Sequence, residues 1–316
     1  MKSIAVIGQG FVGGSITTVF AEHGIDVYTY DRLGIVASGG KKSVILAEDH
    51  LPVRPVKSIT DLVNCCQHPN IAKQFSGIYF VCVPTPMYED GSADTSIVES
   101  VLKELSNVPG ERIAVIKSTI PPGSTEKWNK QFANTGLRIV FNPEFLREAT
   151  ALDDMRNQTR IILGGPRPYI NKVKQLFESV FQNVPIIKTS STTAEMVKYF
   201  INVQLATRVV LSCEFWQLCN ALDNKGFNID FDKVIEYAKY DSRLGGSHMN
   251  VPGQDGILGA RGHCFPKDLA AIIAISKNLE LNASLMQAVQ TKNLELVPPE
   301  HRDWEKMIGR AVTKKS

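Results

Sequence analysis

Long apolar runs are missing from this 316-residue sequence. None reaches the roughly 20 residues that a membrane-spanning helix needs. The chain opens directly on the strand-like Ser3-Ile-Ala-Val-Ile7, so no secretory signal is expected. A dominant charge is missing too. The formal balance is +3, too mild to argue for nucleic acid, and no basic run carries interleaved aromatics. Cys65, Cys66, Cys82, Cys213, Cys219 and Cys264 contain no C-x-x-C pair, and no histidine cluster at ligand spacing accompanies them. These absences point to reduced thiols in a cytoplasmic protein with no metal, no membrane and no nucleic acid. The length suffices for two domains, and 43% apolar content is ordinary for them.

What is present begins within thirty residues. Gly8-Gln9-Gly10-Phe11-Val12-Gly13 follows an apolar strand and precedes a helical run from Gly14 to Glu22. A second strand, Val27-Tyr-Thr-Tyr30, ends at Asp31. G-x-G-x-x-G between strand and helix, with an acid about 20 residues on, is the fingerprint of a dinucleotide site. Residues without side chains let the backbone approach a pyrophosphate at a helix N-terminus. Asp31 accepts hydrogen bonds from the adenosine ribose, which favours NAD over NADP because a 2′-phosphate is repelled. Arg32, next in sequence, softens that preference.

Further buried-type strands recur at Ile78 to Val83, Ile113 to Ile116, Arg138 to Phe141, Arg160 to Leu163 and Pro185 to Lys188. Near-continuous apolar runs of this kind predict an α/β, Rossmann-type doubly wound sheet. Three loops at the carboxyl ends of those strands carry polar chemistry: Pro84-Thr85-Pro86, Ser118-Thr119-Ile-Pro-Pro-Gly123 and Asn142-Pro143-Glu144-Phe-Leu-Arg-Glu148. Leu33 to Lys57 shows little pattern. Thr192-Thr-Ala-Glu195 reads as a capping box opening a helix that runs to about Asp223. Thirty residues give roughly 45 Å, enough to connect two domains and offer a pairing surface. Lys198 and Asn202, four apart, share one face of it.

The remainder is helical. Its chemistry lies in Gly262-His-Cys264-Phe-Pro-Lys-Asp268, behind the glycine-rich approach Pro252 to Arg261. With Pro266 in the first turn of a helix through Leu269-Ala-Ala-Ile-Ile, Cys264 falls at or just before the helix N-terminus. Aligned peptide dipoles favour a thiolate there. The expected division is residues 1–190, a dinucleotide domain; 191–293, the long helix and an all-helical domain; and 294–316, a tail with Trp304, Ile308 and Val312 on one helical face.

Together these motifs make the chain resemble the nucleotide-sugar dehydrogenase family, in its UDP-glucose 6-dehydrogenase branch. The likeness spans about residues 1 to 293. It rests on Gly8-x-Gly10-x-x-Gly13, Val83-Pro-Thr-Pro86, Ser118-Thr-Ile-Pro-Pro-Gly123, Asn142-Pro-Glu-Phe-Leu-Arg-Glu148, Ala194-Glu-Met-Val-Lys198-Tyr-x-x-Asn202, Asp241-x-Arg243-x-Gly245 and Cys264-Phe-Pro-Lys-Asp268. The resemblance implies oxidation of a sugar primary alcohol to a carboxylate with two NAD⁺ and no metal. Cys264 then captures the intermediate aldehyde and carries it to a thioester. Lys198 and Asn202 stabilise oxyanions, Asp268 orders a water or acts as base, and Glu148 with Thr119 assists hydrolysis. Phe11, Val12, Val83, Pro84, Thr85, Ser118 and Lys267 join the glycines and Asp31 around the cofactor. Phe145 and Leu146 meet the substrate, Glu144 supports their loop, and Gly259 and Arg261 lie beside it. Arg243 reaches a partner subunit's site, in a homodimer built on the long helix.

Two departures stand out. Family members carry a third, C-terminal nucleotide-binding domain, and this sequence stops near where it should begin. The substrate's remote nucleotide therefore has few evident partners, unless a separate polypeptide supplies that domain. Relatives read Gly-aromatic-Gly-Gly before the cysteine, and here Gly259-Ala-Arg261-Gly262 stands instead. Arg261 lacks glycine's access to positive φ, and its charge either reshapes the pocket or meets a phosphate. Two alternatives remain open: a one-step β-hydroxyacid-type dehydrogenase using Lys198, and a protein that binds NAD without catalysis.

Overall fold

The computed structural model describes residues 2–35, 51–66, 74–253 and 256–313. Most of the unpatterned Leu33 to Lys57 stretch, residues 254 and 255 of the glycine-rich approach, and Lys314 and Lys315 lie outside the described residues. Contacts divide the chain into two units. One is Met1–Thr85 with Thr95–Lys198, and the other is Pro86–Asp94 with Tyr199–Ser316.

The first unit is built on an eight-stranded sheet: β1 (Ser3–Ile7), β2 (Asp26–Tyr30), β3 (Val53–Pro55), β4 (Ile78–Val81), β5 (Arg112–Ile116), β6 (Leu137–Phe141), β7 (Ile161–Gly164) and β8 (Ile186–Thr189). Its helices are α1 (Phe11–Glu22), α2 (Ile59–Cys66), α3 (Ser96–Ser106), α4 (Ser124–Gln131), α5 (Ala151–Arg156) and α6 (Arg167–Glu178). The strand order is β3-β2-β1-β4-β5-β6-β7-β8. Val6 pairs with Thr29 on one side and Phe80 on the other, so the order reverses around β1. Ligands bind outside the carboxyl ends of strands at such a switch point.

Alternation along β1 shows why its run is unbroken. Ile4 and Val6 belong to the core cluster that holds Phe20, Phe80 and Phe177, whereas Ala5 and Ile7 belong to the one that holds Leu62, Leu102 and Trp128. Both faces are dry, so the strand runs apolar on both from Ile4 to Ile7. Each large side chain removed from water in this way contributes about 1.5–3 kcal/mol.

Three local expectations change. The three-residue edge strand β3 ends in proline and is partly exposed, leaving no periodic signal. β7 pairs antiparallel with β6, while β8 is parallel to β7. An apolar run carries no direction, so the Arg160 to Leu163 pattern could not show the reversal. The long helix, α7, spans Ser191–Asp223, but Thr192 and Glu195 do not form its capping box. Ser190 Oγ accepts from the Thr193 amide instead, at 3.2 Å. The buried Glu195 carboxylate accepts from the Gly123 and Thr125 amides at 2.6 and 2.9 Å. It thereby caps α4, which has no side-chain cap of its own.

The second unit contains the rest of α7, then α8 (Phe231–Ala238), α9 (Phe265–Asn278), α10 (Ser284–Leu296) and α11 (Asp303–Lys306). Asp230 caps α8, accepting from the Asp232 and Lys233 amides. Ala206, Val210, Leu269, Val289 and Leu296 are among its buried core residues. The tail is not one amphipathic helix. Among its described residues the end of α10, a 3-10 turn at Pro299–His301 and the four residues of α11 are separate helical pieces, Trp304 packs with Val297 and Ala311, and Ile308 is exposed. Met87 closes this arrangement: its amide donates to Ala311 and its carbonyl accepts from Thr313.

Candidate active site

The glycine loop is shaped partly by packing and partly by something else. Gly8 has φ +87°, and a Cβ there would stand 2.6 Å from the Cys82 carbonyl. At Gly13 a Cβ would strike the Gly8 carbonyl at 1.8 Å. A Cβ on Gly10 would meet no protein atom within 4 Å. Packing therefore demands two of the glycines, and the third leaves open space beside the first turn of α1, whose amides include those of Phe11 and Val12. A pyrophosphate approaching a helix N-terminus fits that space. Asp31 completes the cradle from the end of β2. Its Oδ2 accepts from the Gln9 amide and its Oδ1 from the Leu33 amide, both at 2.8 Å. Each oxygen keeps a further lone pair for a ribose diol. Arg32 beside it is exposed. Across the switch point, Ser118 Oγ donates to the Val83 carbonyl at 2.6 Å and fixes the loop of Val83, Pro84 and Thr85.

Lys198 ends the first unit in a buried network. Its Nζ donates to the Glu144 carbonyl at 2.7 Å and to Glu144 Oε1 at 2.9 Å. Glu144 Oε2 accepts from the Leu146 amide at 2.7 Å, a bond within its own loop. Phe145 lies in that loop, its ring 4.4 Å from the Arg160 guanidinium. Lys117, which the sequence reading passed over, shares the network. Its buried Nζ donates to Asn142 Oδ1 at 2.9 Å and to the Pro143 carbonyl at 3.4 Å. The only signal in the sequence was a charge closing the apolar run of β5. Burial pushes the Lys117 ammonium down to about 8, against the opposing pull of the Glu144 carboxylate. The Cys82 thiol is pushed by burial up to about 12. Thr119 is half-buried just after β5, and Glu148 is exposed in a short 3-10 turn.

In the second unit Cys264 is the N-cap of α9, half-buried, with Pro266 in the first turn. Its thiol makes no capping hydrogen bond, which leaves the sulfur uncommitted to the helix end. Asp268, fully buried one turn on, accepts from Asn202 Nδ2 at 2.6 Å through Oδ2 and from Lys267 Nζ at 2.6 Å through Oδ1. Lys267, assigned to the cofactor by resemblance, has its ammonium on this carboxylate. Asn202 and Lys198, one turn apart on α7, each join the network of their own unit.

The approach to Cys264 is held by Asn293, a residue without any sequence signal. Its Oδ1 accepts from the Ala260 amide at 2.6 Å and its Nδ2 donates to the Ala260 carbonyl at 2.9 Å. Gly259 and Gly262 take positive φ, but Arg261 does not, so its backbone needs no glycine. Arg261 Nη1 stands 4.0 Å from Asp303 Oδ2. Arg243 lies in an exposed loop and folds back on Asp241 at 2.9 Å. Among the described residues no three His, Cys, Asp or Glu side chains form a metal-binding group, and no helix is long and apolar enough to cross a membrane.

Comparison with known proteins gives the family. Residues 2–184 match the NAD-binding domain, and residues 192–295 the central domain, of the UDP-glucose/GDP-mannose dehydrogenase family. A UDP-glucose 6-dehydrogenase of Haloferax volcanii is 31% identical over 92% of this chain and 69% of its own length. One from Bacillus subtilis is 33% identical over 93% of this chain and 63% of its own. The solved UDP-glucose dehydrogenase of Pyrobaculum islandicum superposes with a TM-score of 0.78 at 28% identity, covering 93% of this chain and 68% of that one. The chain thus spans about two thirds of the length of these relatives. Its first unit carries the fold and the glycine cradle of an NAD-binding domain, and the chain belongs to the UDP-glucose/GDP-mannose dehydrogenase family.

Proposed function

We propose that the chain oxidises a nucleotide sugar, UDP-glucose to UDP-glucuronate, in two successive NAD-dependent steps. The observation that carries this reading is Cys264 at the N-terminus of α9, one turn ahead of a buried carboxylate held by Asn202 and Lys267. A one-step alcohol dehydrogenase has no use for a thiol so placed.

The residues divide the chemistry. The glycine cradle and Asp31 would hold NAD⁺, which would supply a hydride acceptor for each oxidation. Loss of a hydride and the hydroxyl proton turns the sugar alcohol into an aldehyde, and the Lys198 ammonium stabilises the developing alkoxide. Cys264 sulfur then adds to the aldehyde carbon. The resulting thiohemiacetal keeps the intermediate covalently bound, and its oxidation leaves a thioester. Asp268 takes a proton from the water that attacks the thioester, general-base help worth typically about 10²–10⁴-fold. The thiolate leaves and the carboxylate is released. Glu148 and Thr119 assist that hydrolysis, Phe145 and Leu146 position the sugar, and Gly259, Arg261 and Arg243 contribute to its binding. Phe200, Leu211, Phe215 and Leu218 on α7 are each more than half exposed, which supports a homodimer paired along this helix.

An absorbance assay for NADH with UDP-glucose, UDP-N-acetylmannosamine and GDP-mannose tests the reading. Two NADH per UDP-glucose, with loss of the second oxidation in Cys264→Ala, is the expected result. One NADH with that variant unaffected replaces it with the β-hydroxyacid-type reaction. NAD⁺ binding without turnover of any of the three sugars replaces it with a non-catalytic role.

A further inference from the structure

Lys117 is a buried cation that the reaction just described leaves unused. It follows Ile116 at the carboxyl end of β5, and only its amine is polar enough to need partners there. Those partners are the side chain of Asn142 and the carbonyl of Pro143. Asn142 is itself braced, its amide nitrogen donating to the Ile162 carbonyl at 2.8 Å and its backbone amide to the Ile116 carbonyl. The next residue is Glu144, which takes Lys198 on both its carbonyl and its carboxylate. One hydrogen-bonded path therefore runs from Lys117 through the Asn142-Pro143-Glu144 turn to Lys198, all within the first unit.

We propose that Lys117 is a positioning residue for the oxidation: it sets the turn that holds Lys198, and it places a second positive charge against the same carboxylate. This rests on the reading of Lys198 as the oxyanion-stabilising cation. The charged and titratable groups facing Lys117 are Cys82, Glu144 and Lys198. Cys82 stays a neutral thiol across the working range, because burial pushes it to about 12. Of the groups acting on Lys117, Glu144 is thus the anion and Lys198 the second cation. Two cations sharing one anion lower each other's proton affinity, so Lys117 tunes Lys198 through the charge as well as through the turn. Burial favours a neutral amine at Lys117, and the Glu144 carboxylate opposes that tendency.

The test compares Lys117→Met and Lys117→Arg with the unaltered chain. With UDP-glucose and NAD⁺, Lys117→Met is expected to lose about tenfold or more in kcat, while KM for NAD⁺ stays within about twofold. The alkaline limb of its kcat profile moves to higher pH, because Lys198 no longer shares Glu144. Lys117→Arg keeps the charge, so it restores the position of that limb. A folded Lys117→Met protein with unchanged kcat and an unmoved limb overturns the proposal. A second measurement needs no turnover: carbon-13-labelled lysine is followed by NMR through a pH titration, with the Lys198 signal assigned from Lys198→Met. The Lys198 signal is expected to show a second inflection where Lys117 titrates, and to lose it in Lys117→Met. A single inflection in the unaltered chain overturns the proposal even where Lys117→Met does not fold. Absent NADH on UDP-glucose with coupled lysine titrations rejects the substrate and keeps the role of Lys117.

Discussion

Lys198 grips Glu144 twice, once at the backbone carbonyl and once at the carboxylate, with both residues almost wholly buried. Breaking a buried pair by removing one partner costs about 3–5 kcal/mol, because the other charge is stranded. Lys198→Met is therefore expected to lower stability by an amount in that range in urea denaturation. Lys198→Met combined with Glu144→Gln is expected to recover part of it. Equal losses in the single and double variants would show that the carboxylate gains nothing from the ammonium.

The glycines of the cradle should respond in opposite ways. Gly8→Ala forces a positive φ on alanine and a contact with the Cys82 carbonyl, so thermal unfolding is expected to fall by several degrees. Gly10→Ala meets no protein atom. It should leave the melting temperature of the ligand-free chain in place and weaken NAD⁺ binding about tenfold or more, by titration calorimetry. Unchanged affinity in Gly10→Ala removes the pyrophosphate from that spot.

Asn293 makes two hydrogen bonds to Ala260 in a buried setting. Asn293→Ala strands an amide and a carbonyl, at about 1–3 kcal/mol each. The loop before Cys264 loses its brace, so turnover is expected to fall along with stability. Asn293→Asp keeps only the acceptor and should rescue half of the interaction. Full activity in Asn293→Ala would show that Cys264 is positioned without it.

Asp154 accepts from the Arg147 amide and guanidinium and from Thr150 Oγ1. The Arg147 guanidinium, before other causes, holds this carboxyl below its ordinary value of 3.8. A depressed folded-state value means that the unfolded chain binds the proton first. The stabilisation is thus complete above pH 3.8 and is lost as pH falls through the folded value. Asp154→Asn should flatten the acid limb of a stability profile and cost about 1 kcal/mol at neutral pH. An unaltered acid limb assigns the acid sensitivity elsewhere.

Thiol accessibility gives a chemical check. Cys65 is exposed and Cys264 half-buried, whereas Cys66, Cys213 and Cys219 are buried, and Cys82 stays protonated far above neutrality. Limited alkylation at neutral pH, read by peptide mass spectrometry, is expected to modify Cys65 and Cys264. Loss of turnover should follow Cys264 alone. Inactivation that tracks Cys65 would count against the assigned nucleophile.

Much of this was legible in the chain. Double-sided burial wrote β1, β4 and β5 as unbroken apolar runs, and the glycine spacing announced the cradle. Asp31, Glu144 and Cys264 stood at loop or helix ends where local rules apply. The sequence could not show Glu195 capping α4 from α7, because its partners lie 70 and 72 residues away. An apparent capping box was the only local pattern available there. Lys117 and Asn293 escaped for the same reason: their importance lies in partners 25 and 33 residues distant. Strand direction at β7 is likewise a property of the sheet, invisible in four apolar letters.

Residues 86–94 leave the first unit, fold with the second and return. Severing the backbone after Lys198 therefore does not yield two autonomous pieces. The longer fragment would carry Met87 away from Ala311 and Thr313, exposing an apolar side chain and unpaired peptide groups on both products. Dissection by limited proteolysis or split expression should instead graft this nine-residue excursion onto the shorter fragment through a linker. Failure of the plain halves to stay in solution would reflect that shared thread, and would say nothing of either active residue set.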